Sequence, residues 1–238
     1  MRWSGFRSIV RLFAGILVAL VLARLLTPND FGLVAMAAVF TNITIFIVDF
    51  GTGEALIQHQ KSDKTLESSV YWLNICVASS IAGLLFLSAP VIAELYGQPI
   101  VNPIVKCLSL VLVVQSASLV HVSLFKKHRN FKAIAYAEIV SQIGGASVAI
   151  SLALNDFGVW SLVCYTITKA SFYTIFILIL SDWKPRFCYN SAKINLILSF
   201  SLNFTVFKFL NYIERNSDKL IIGYFQGPLA LGLYSRAY

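Results

Sequence analysis

The sequence predicts an all-α membrane protein, a polytopic bundle of helices. Three observations carry that prediction. Hydrophobic residues fill 58% of the 238 positions and charged residues only 13%, whereas soluble domains carry about 25% charged residues. Apolar runs near the ~20 residues that a spanning helix needs recur along the whole chain. The basic residues gather in alternate connections, as they do in chains threaded through a membrane.

The first span is expected over Ile9 to Leu26, followed by a turn at Thr27-Pro28-Asn29-Asp30. Arg2, Arg7 and Arg11 precede its apolar run from Leu12 to Leu26, but no small-residue cleavage site follows, so the segment reads as a retained span and not as a signal peptide. The second span runs from Phe31 to Phe50 and ends on Asp49 and Gly51. A polar connection over Thr52 to Ser69 leads to a third span, Tyr71 to Ala89, which Pro90 is expected to stop. Residues 91–103, with Gly97-Gln98-Pro99 and Pro103, read as a loop. The fourth span is Ile104 to Phe125, and a basic loop covers 126–132. The fifth is Ala133 to Leu154 with a turn at Asn155-Asp156, and the sixth is Val159 to Leu180. A second basic loop, Asp182 to Lys193, precedes a seventh span over Ser201 to Gln226, and Pro228 opens an eighth. By domain, residues 1–181 form a six-span unit, 182–200 a basic linker, and 201–238 the start of a second unit.

Twelve of the 19 Lys and Arg lie in the N-terminal segment and in the connections after spans two, four and six. The turns at 27–30, 90–103 and 155–158 hold none. Basic loops stay on the cytoplasmic side, so the N-terminus is expected to be cytoplasmic. The net charge of +8 therefore reflects topology, and nucleic acid is not an expected partner. Cys76, Cys107, Cys164 and Cys188 form no C-x-x-C pair and read as packed apolar residues. His59, His121 and His128 lack ligand spacing, so no metal site or cofactor is expected.

An internal repeat is present at an offset of 200. Leu20/Leu220, Pro28/Pro228, Gly32/Gly232, Leu33/Leu233 and Ala37/Ala237 are identical. Six spans separate the two copies, an even number, so they share one orientation. Parallel repeats of this kind are one of the transporter plans, with a central site where the repeats meet.

The seventh span carries the chemistry. On a helical wheel Lys208, Asn211, Glu214, Arg215, Asp218 and Lys219 share an arc of roughly 140°, while Val206, Phe209, Leu210, Ile213, Leu220, Ile221 and Tyr224 take the other side. Two readings compete: a polar loop between helices, or a charged face inside the membrane. Pro28 follows span one, so by the repeat Pro228 follows span seven, which puts the charges near mid-membrane. Ionisable residues at that depth face a bundle interior or wet cavity and mark substrate paths.

Several stretches carry a resemblance. Leu25-Leu26-Thr27-Pro28-Asn29-Asp30-Phe31-Gly32-Leu33 resembles the first turn of the polysaccharide flippases, the Wzx-type lipopolysaccharide and exopolysaccharide translocases. Asp49-Phe50-Gly51 with Ala55-Leu56-Ile57-Gln58 resembles their second-span exit, and Gly158-Val159-Trp160-Ser161-Leu162-Val163 the start of their sixth span. Asn216-Ser217-Asp218-Lys219-Leu220-Ile221-Ile222-Gly223 and Leu231-Gly232-Leu233-Tyr234-Ser235-Arg236-Ala237 resemble their seventh span and its exit, closest to the colanic-acid branch. The resemblance implies a MATE-like architecture within the multidrug/oligosaccharidyl-lipid/polysaccharide exporter superfamily. Two six-helix lobes would surround a cavity that opens alternately to each side of the bacterial inner membrane. The implied substrate is an undecaprenyl-diphosphate-linked oligosaccharide; membrane lipids and a polysaccharide polymerase are the implied partners, and no covalent chemistry is implied. Members of the resembled family have twelve to fourteen spans, so this sequence is expected to be truncated to one lobe plus span seven and the start of span eight.

Within that frame Arg215 and Lys219, one helical turn apart, are the candidates for diphosphate contacts, since guanidinium and ammonium groups hold phosphates by charge-assisted hydrogen bonds. Lys169 in span six, with Tyr165 and Tyr173 a turn to either side, Lys208 and Arg24 are further cavity candidates. Asp218 and Glu214 would balance charge or couple an ion. Arg24 also reads as a side chain snorkelling to the membrane surface. Glu138 and Gln142, beside Gly144-Gly145, read as close helix packing. Two other functions stay open: a cation-coupled antiporter of small molecules, which calls for an acidic cavity, and a structural subunit of a polysaccharide assembly complex.

Overall fold

A computed structural model describes residues 15, 18–49, 51–58, 63–188 and 190–237, without the side chains of 45–47, 49, 191–193, 195–209 and 237. Arg2, Arg7, Arg11 and Lys61 and the side chains of Lys193 and Lys208 lie outside it. All regular structure among the described residues is helical. Residues 18–25 form α1; then come α2 (Pro28–Asp49), α3 (Thr52–Gln58), α4 (Lys64–Leu95), α5 (Val101–Lys127), α6 (Phe131–Leu154), α7 (Val159–Leu180) and α8 (Ser191–Ala237). Four of these, α4 to α7, are long and apolar enough to cross a membrane.

Local chemistry sets the helix starts. Thr27 caps α2: its backbone N–H donates to Asp30 Oδ2 at 2.9 Å, and the Asp30 N–H donates back to Thr27 Oγ1 at 3.3 Å. This is a reciprocal capping box. Asp63 caps α4 by accepting from the Thr65 and Leu66 N–H groups, and Asn130 caps α6 by accepting from Ala133.

α5 is the central helix, packed against α2, α3, α4, α6 and α7. The main core gathers Met36, Ala37, Ile104, Val105, Leu108, Val163 and Leu231 from α2, α5, α7 and the end of α8. Leu84, Leu87, Ile143 and Ile179 point outward and are 61–75% exposed. In water such surfaces would associate; in a bilayer they face lipid tails. α6 and α7 approach closely because Gly145 lets Lys169 Cβ and the Tyr165 ring come within van der Waals range.

Two boundaries differ from the sequence reading. Pro90 does not stop the third span: α4 runs through it to Leu95. Beyond the proline, Ile92 and Ala93 are 6% exposed within the main core, so tertiary packing outweighs the lost backbone bond. The loop is therefore short, 96–100, and Pro103 sits in the first turn of α5, where its missing N–H costs nothing. The second basic loop is irregular over Ser181 to Cys188 and at Asn190, and α8 begins at Ser191. It is strapped to α4: the Arg186 N–H donates to Ser68 Oγ at 3.1 Å and Trp72 Nε1–H to the Arg186 carbonyl at 3.0 Å. Phe187 stacks on the Trp72 ring at 4.9 Å.

Candidate functional site at the seam between repeated segments

The segment 214–219 is helical throughout, which excludes a polar loop at this point. α8 breaks later, at Gly227, whose φ of 78° lies in the left-handed region that favours glycine. Residues 191–226 and 228–237 thus form a helical hairpin. Across it the Tyr234 hydroxyl donates to the Asp218 carboxylate, eight residues to either side of Gln226.

Residues 228–237 cross α2 at the repeated Pro and Gly positions. A Cβ atom at Gly32 would fall on the Pro228 carbonyl, and one at Gly232 on the Pro28 carbonyl. The contact exchanges 28 with 228 and 32 with 232, as a local two-fold relation does. Only a hydrogen at both glycines lets the backbones approach so closely.

Above and below this crossing the seam is polar. The Arg236 guanidinium donates to the Leu26 carbonyl at 2.6 Å and lies 4.4 Å from the centre of the Phe31 ring. Tyr212 donates to the Val39 carbonyl at 2.9 Å, fixing 191–226 along α2. Gly223 admits Tyr96, Leu231 and Met36. Lys219 is half-buried and its ammonium donates to Asn216 Oδ1 at 3.2 Å. Glu214 and Arg215 are exposed on the same segment. On the apolar arc Leu210, Ile213, Ile221 and Tyr224 are exposed as well, so α8 packs on α2 by the strip between the two arcs, through Tyr212 and Gly223.

The sequence candidates do not all converge. Asp218 and Lys219 share the seam with Tyr234, while Arg215 and Glu214 lie beside them on the outward side. Arg24 is exposed on α1, and the Lys208 side chain is outside the described residues. Lys169 is elsewhere: it lines a separate cavity of about 420 Å³ between α5, α6 and α7, with Glu138 and Gln142. α7 packs mainly on α6 and α5 and lightly on α2, whereas α8 packs mainly on α2. Glu138 and Gln142, read from sequence as packing residues, therefore belong to a cavity wall, although the adjacent glycines do pack closely. Arg236 and Tyr234 were missed. The equal spacing of Asp218 and Tyr234 about the turn was the signal that could have found the second.

Among the described residues no group of three or more His, Cys, Asp or Glu could hold a metal ion. The acid–amide–lysine set at the seam can hold and neutralise charge.

The family model described as "Polysaccharide biosynthesis protein" matches residues 21–238. The succinoglycan biosynthesis transport protein ExoT of Rhizobium meliloti (strain 1021) is 30% identical over 91% of this chain and 44% of its own length. The lipopolysaccharide biosynthesis protein WzxC of Escherichia coli (strain K12) is 23% identical over 100% of this chain and 49% of its own. The teichuronic acid biosynthesis protein TuaB of Bacillus subtilis (strain 168) is 25% identical over 100% and 50% respectively. The chain thus spans about half the length of the curated relatives it matches. No solved structure matches it. With apolar spans, a repeated seam and a family match over nearly every residue, the chain is a multi-pass membrane protein of the polysaccharide biosynthesis protein family.

Proposed function

We propose that this chain serves the flipping of undecaprenyl-diphosphate-linked oligosaccharide units across the bacterial inner membrane, as a transporter and not as an enzyme. Residues 1–181 would be one six-span lobe of a MATE-like transporter, 182–200 the cytoplasmic linker and 201–238 the opening of the second lobe. The N-terminus would be cytoplasmic. The observation that carries this reading is the reciprocal crossing of Pro28/Gly32 with Gly232/Pro228. It puts two copies of one sequence element against each other beside half-buried charges, the plan on which transporters place a central site. Relatives named for succinoglycan biosynthesis transport and for lipopolysaccharide and teichuronic acid biosynthesis support the substrate class.

In this reading Arg215 and Lys219 meet the diphosphate, with Lys208 and Arg24 along its path. Asp218, held by Tyr234, and Glu214 keep the cationic face from binding the anion too tightly to release it. Lys169 serves the lobe's own cavity. A polysaccharide polymerase is the natural recipient of the flipped unit. An antiporter of cationic small molecules is less well supported, because the seam offers Lys219, Arg215 and Arg236 against Asp218 and Glu214.

Complementation tests the proposal. A strain lacking its flippase should regain surface polysaccharide on receiving this chain, and should not regain it with Arg215→Ala/Lys219→Ala at equal membrane abundance. Restoration by the double variant as well would leave a structural role in the assembly complex as the better account.

A further inference from the structure

We propose that the cavity between α5, α6 and α7 is a saccharide subsite, which takes a neutral sugar of the substrate while the diphosphate stays at the seam. The proposal rests on the flippase reading and adds a second site to it. The cavity lies at mid-depth. Gln142 is near the middle of the 24-residue α6, Lys169 near the middle of the 22-residue α7, and Gln115 just past the middle of the 27-residue α5. Its volume of about 420 Å³ falls in the usual range for small-ligand pockets, about 300–1,000 Å³.

The wall chemistry selects the ligand. Ser141 and Thr166 already spend their hydroxyls on carbonyls of their own helices, at 2.9 and 3.0 Å. The carboxamides of Gln115 and Gln142 have no partner among the described residues, and Gln142 is only 6% exposed. Neither amide is among the buried polar atoms left without a partner, so both open into the cavity, where an entering ligand can bond them. Each amide both donates and accepts, which matches sugar hydroxyls. The charges of the lining, Lys169 and Glu138, cancel formally. A diphosphate calls for several cations, and a metal cation would be repelled by Lys169. Tyr165 and Tyr173 stand one turn either side of Lys169, and the ammonium is drawn to Tyr165, 3.4 Å from its hydroxyl and 5.4 Å from its ring centre. Aromatic rings of this kind suit the C–H face of a pyranose.

The test is ligand-observed saturation-transfer NMR on the full chain in phospholipid nanodiscs, with free maltotriose as probe. Transfer to the sugar is expected above that of empty nanodiscs. It should fall at least about fivefold in Gln142→Leu and in Gln115→Leu, the loss of one hydrogen bond, and stay unchanged in the lipid-facing control Ile143→Leu. The two glutamine variants lie on different helices, so a folding failure in one leaves the other to decide. No transfer above empty nanodiscs, or equal transfer in both glutamine variants, overturns the subsite. The readout needs no flipping, so sugar contact without restored surface polysaccharide would sink the transport reading for this chain and leave the subsite standing.

Discussion

Arg236 joins the two ends of the repeat through a carbonyl and a ring at once, which a lysine cannot do with one planar group. Arg236→Leu is expected to lower stability by about 1.5–3 kcal/mol, the range for a hydrogen bond from a charged donor. Tyr234→Phe is expected to cost less, about 1 kcal/mol, because Asp218 is partly open to solvent. Thermal unfolding in detergent, followed by far-ultraviolet circular dichroism, reads both. Equal and negligible shifts would mean that the seam contributes nothing to holding the fold. At this scale the sequence was half legible. The wheel put Asp218 and Lys219 on one face correctly, because helical period alone decides that. That Lys169 of span six lies apart from them was not legible, because which helix a face meets depends on packing between elements far apart in the chain.

The crossing of α2 with residues 228–237 depends on two hydrogens. Gly32→Ala and Gly232→Ala each put a methyl group onto a backbone carbonyl, which cannot swing away without moving its helix. Each is expected to destabilise by about 1–3 kcal/mol, as overpacking does. The local two-fold relation predicts that the two costs are alike. Gly83→Ala in α4 is the control: nothing lies within 4 Å of the added atom, and a helical Gly→Ala change there is expected to stabilise by a few tenths to ~1 kcal/mol. Denaturant or thermal midpoints of the three variants check the contrast. Elements were the most legible level. The sixth span matches α7 at both ends, because a mainly apolar run bounded by Gly158 and a polar segment fixes both limits, with Lys169 its one charge. Pro90 was misread because its local cost is fixed by sequence while the burial of Ile92 and Ala93, which outweighs it, is not.

For the whole molecule, the repeat at an offset of 200 was read from five identities, and two of the five pairs turn out to form the crossing. Sequence could give the equivalence but not the contact, since relatedness of two segments does not say whether they touch. The orientation itself is testable. In intact cells a membrane-impermeant maleimide should label Pro99→Cys, in the 96–100 loop, and not His128→Cys, in the basic loop between α5 and α6; both positions are exposed. The reverse pattern would turn the molecule over and put the linker on the outer face. The most direct test of the transport account is a reconstituted flipping assay. Liposomes containing the purified chain and a fluorescent undecaprenyl-diphosphate-linked oligosaccharide would be treated with an impermeant quencher. The account predicts that all of the lipid becomes accessible with the wild-type chain, and only the outer-leaflet half with Arg215→Ala/Lys219→Ala. Quenching that stops at the outer leaflet with the wild-type chain would contradict it.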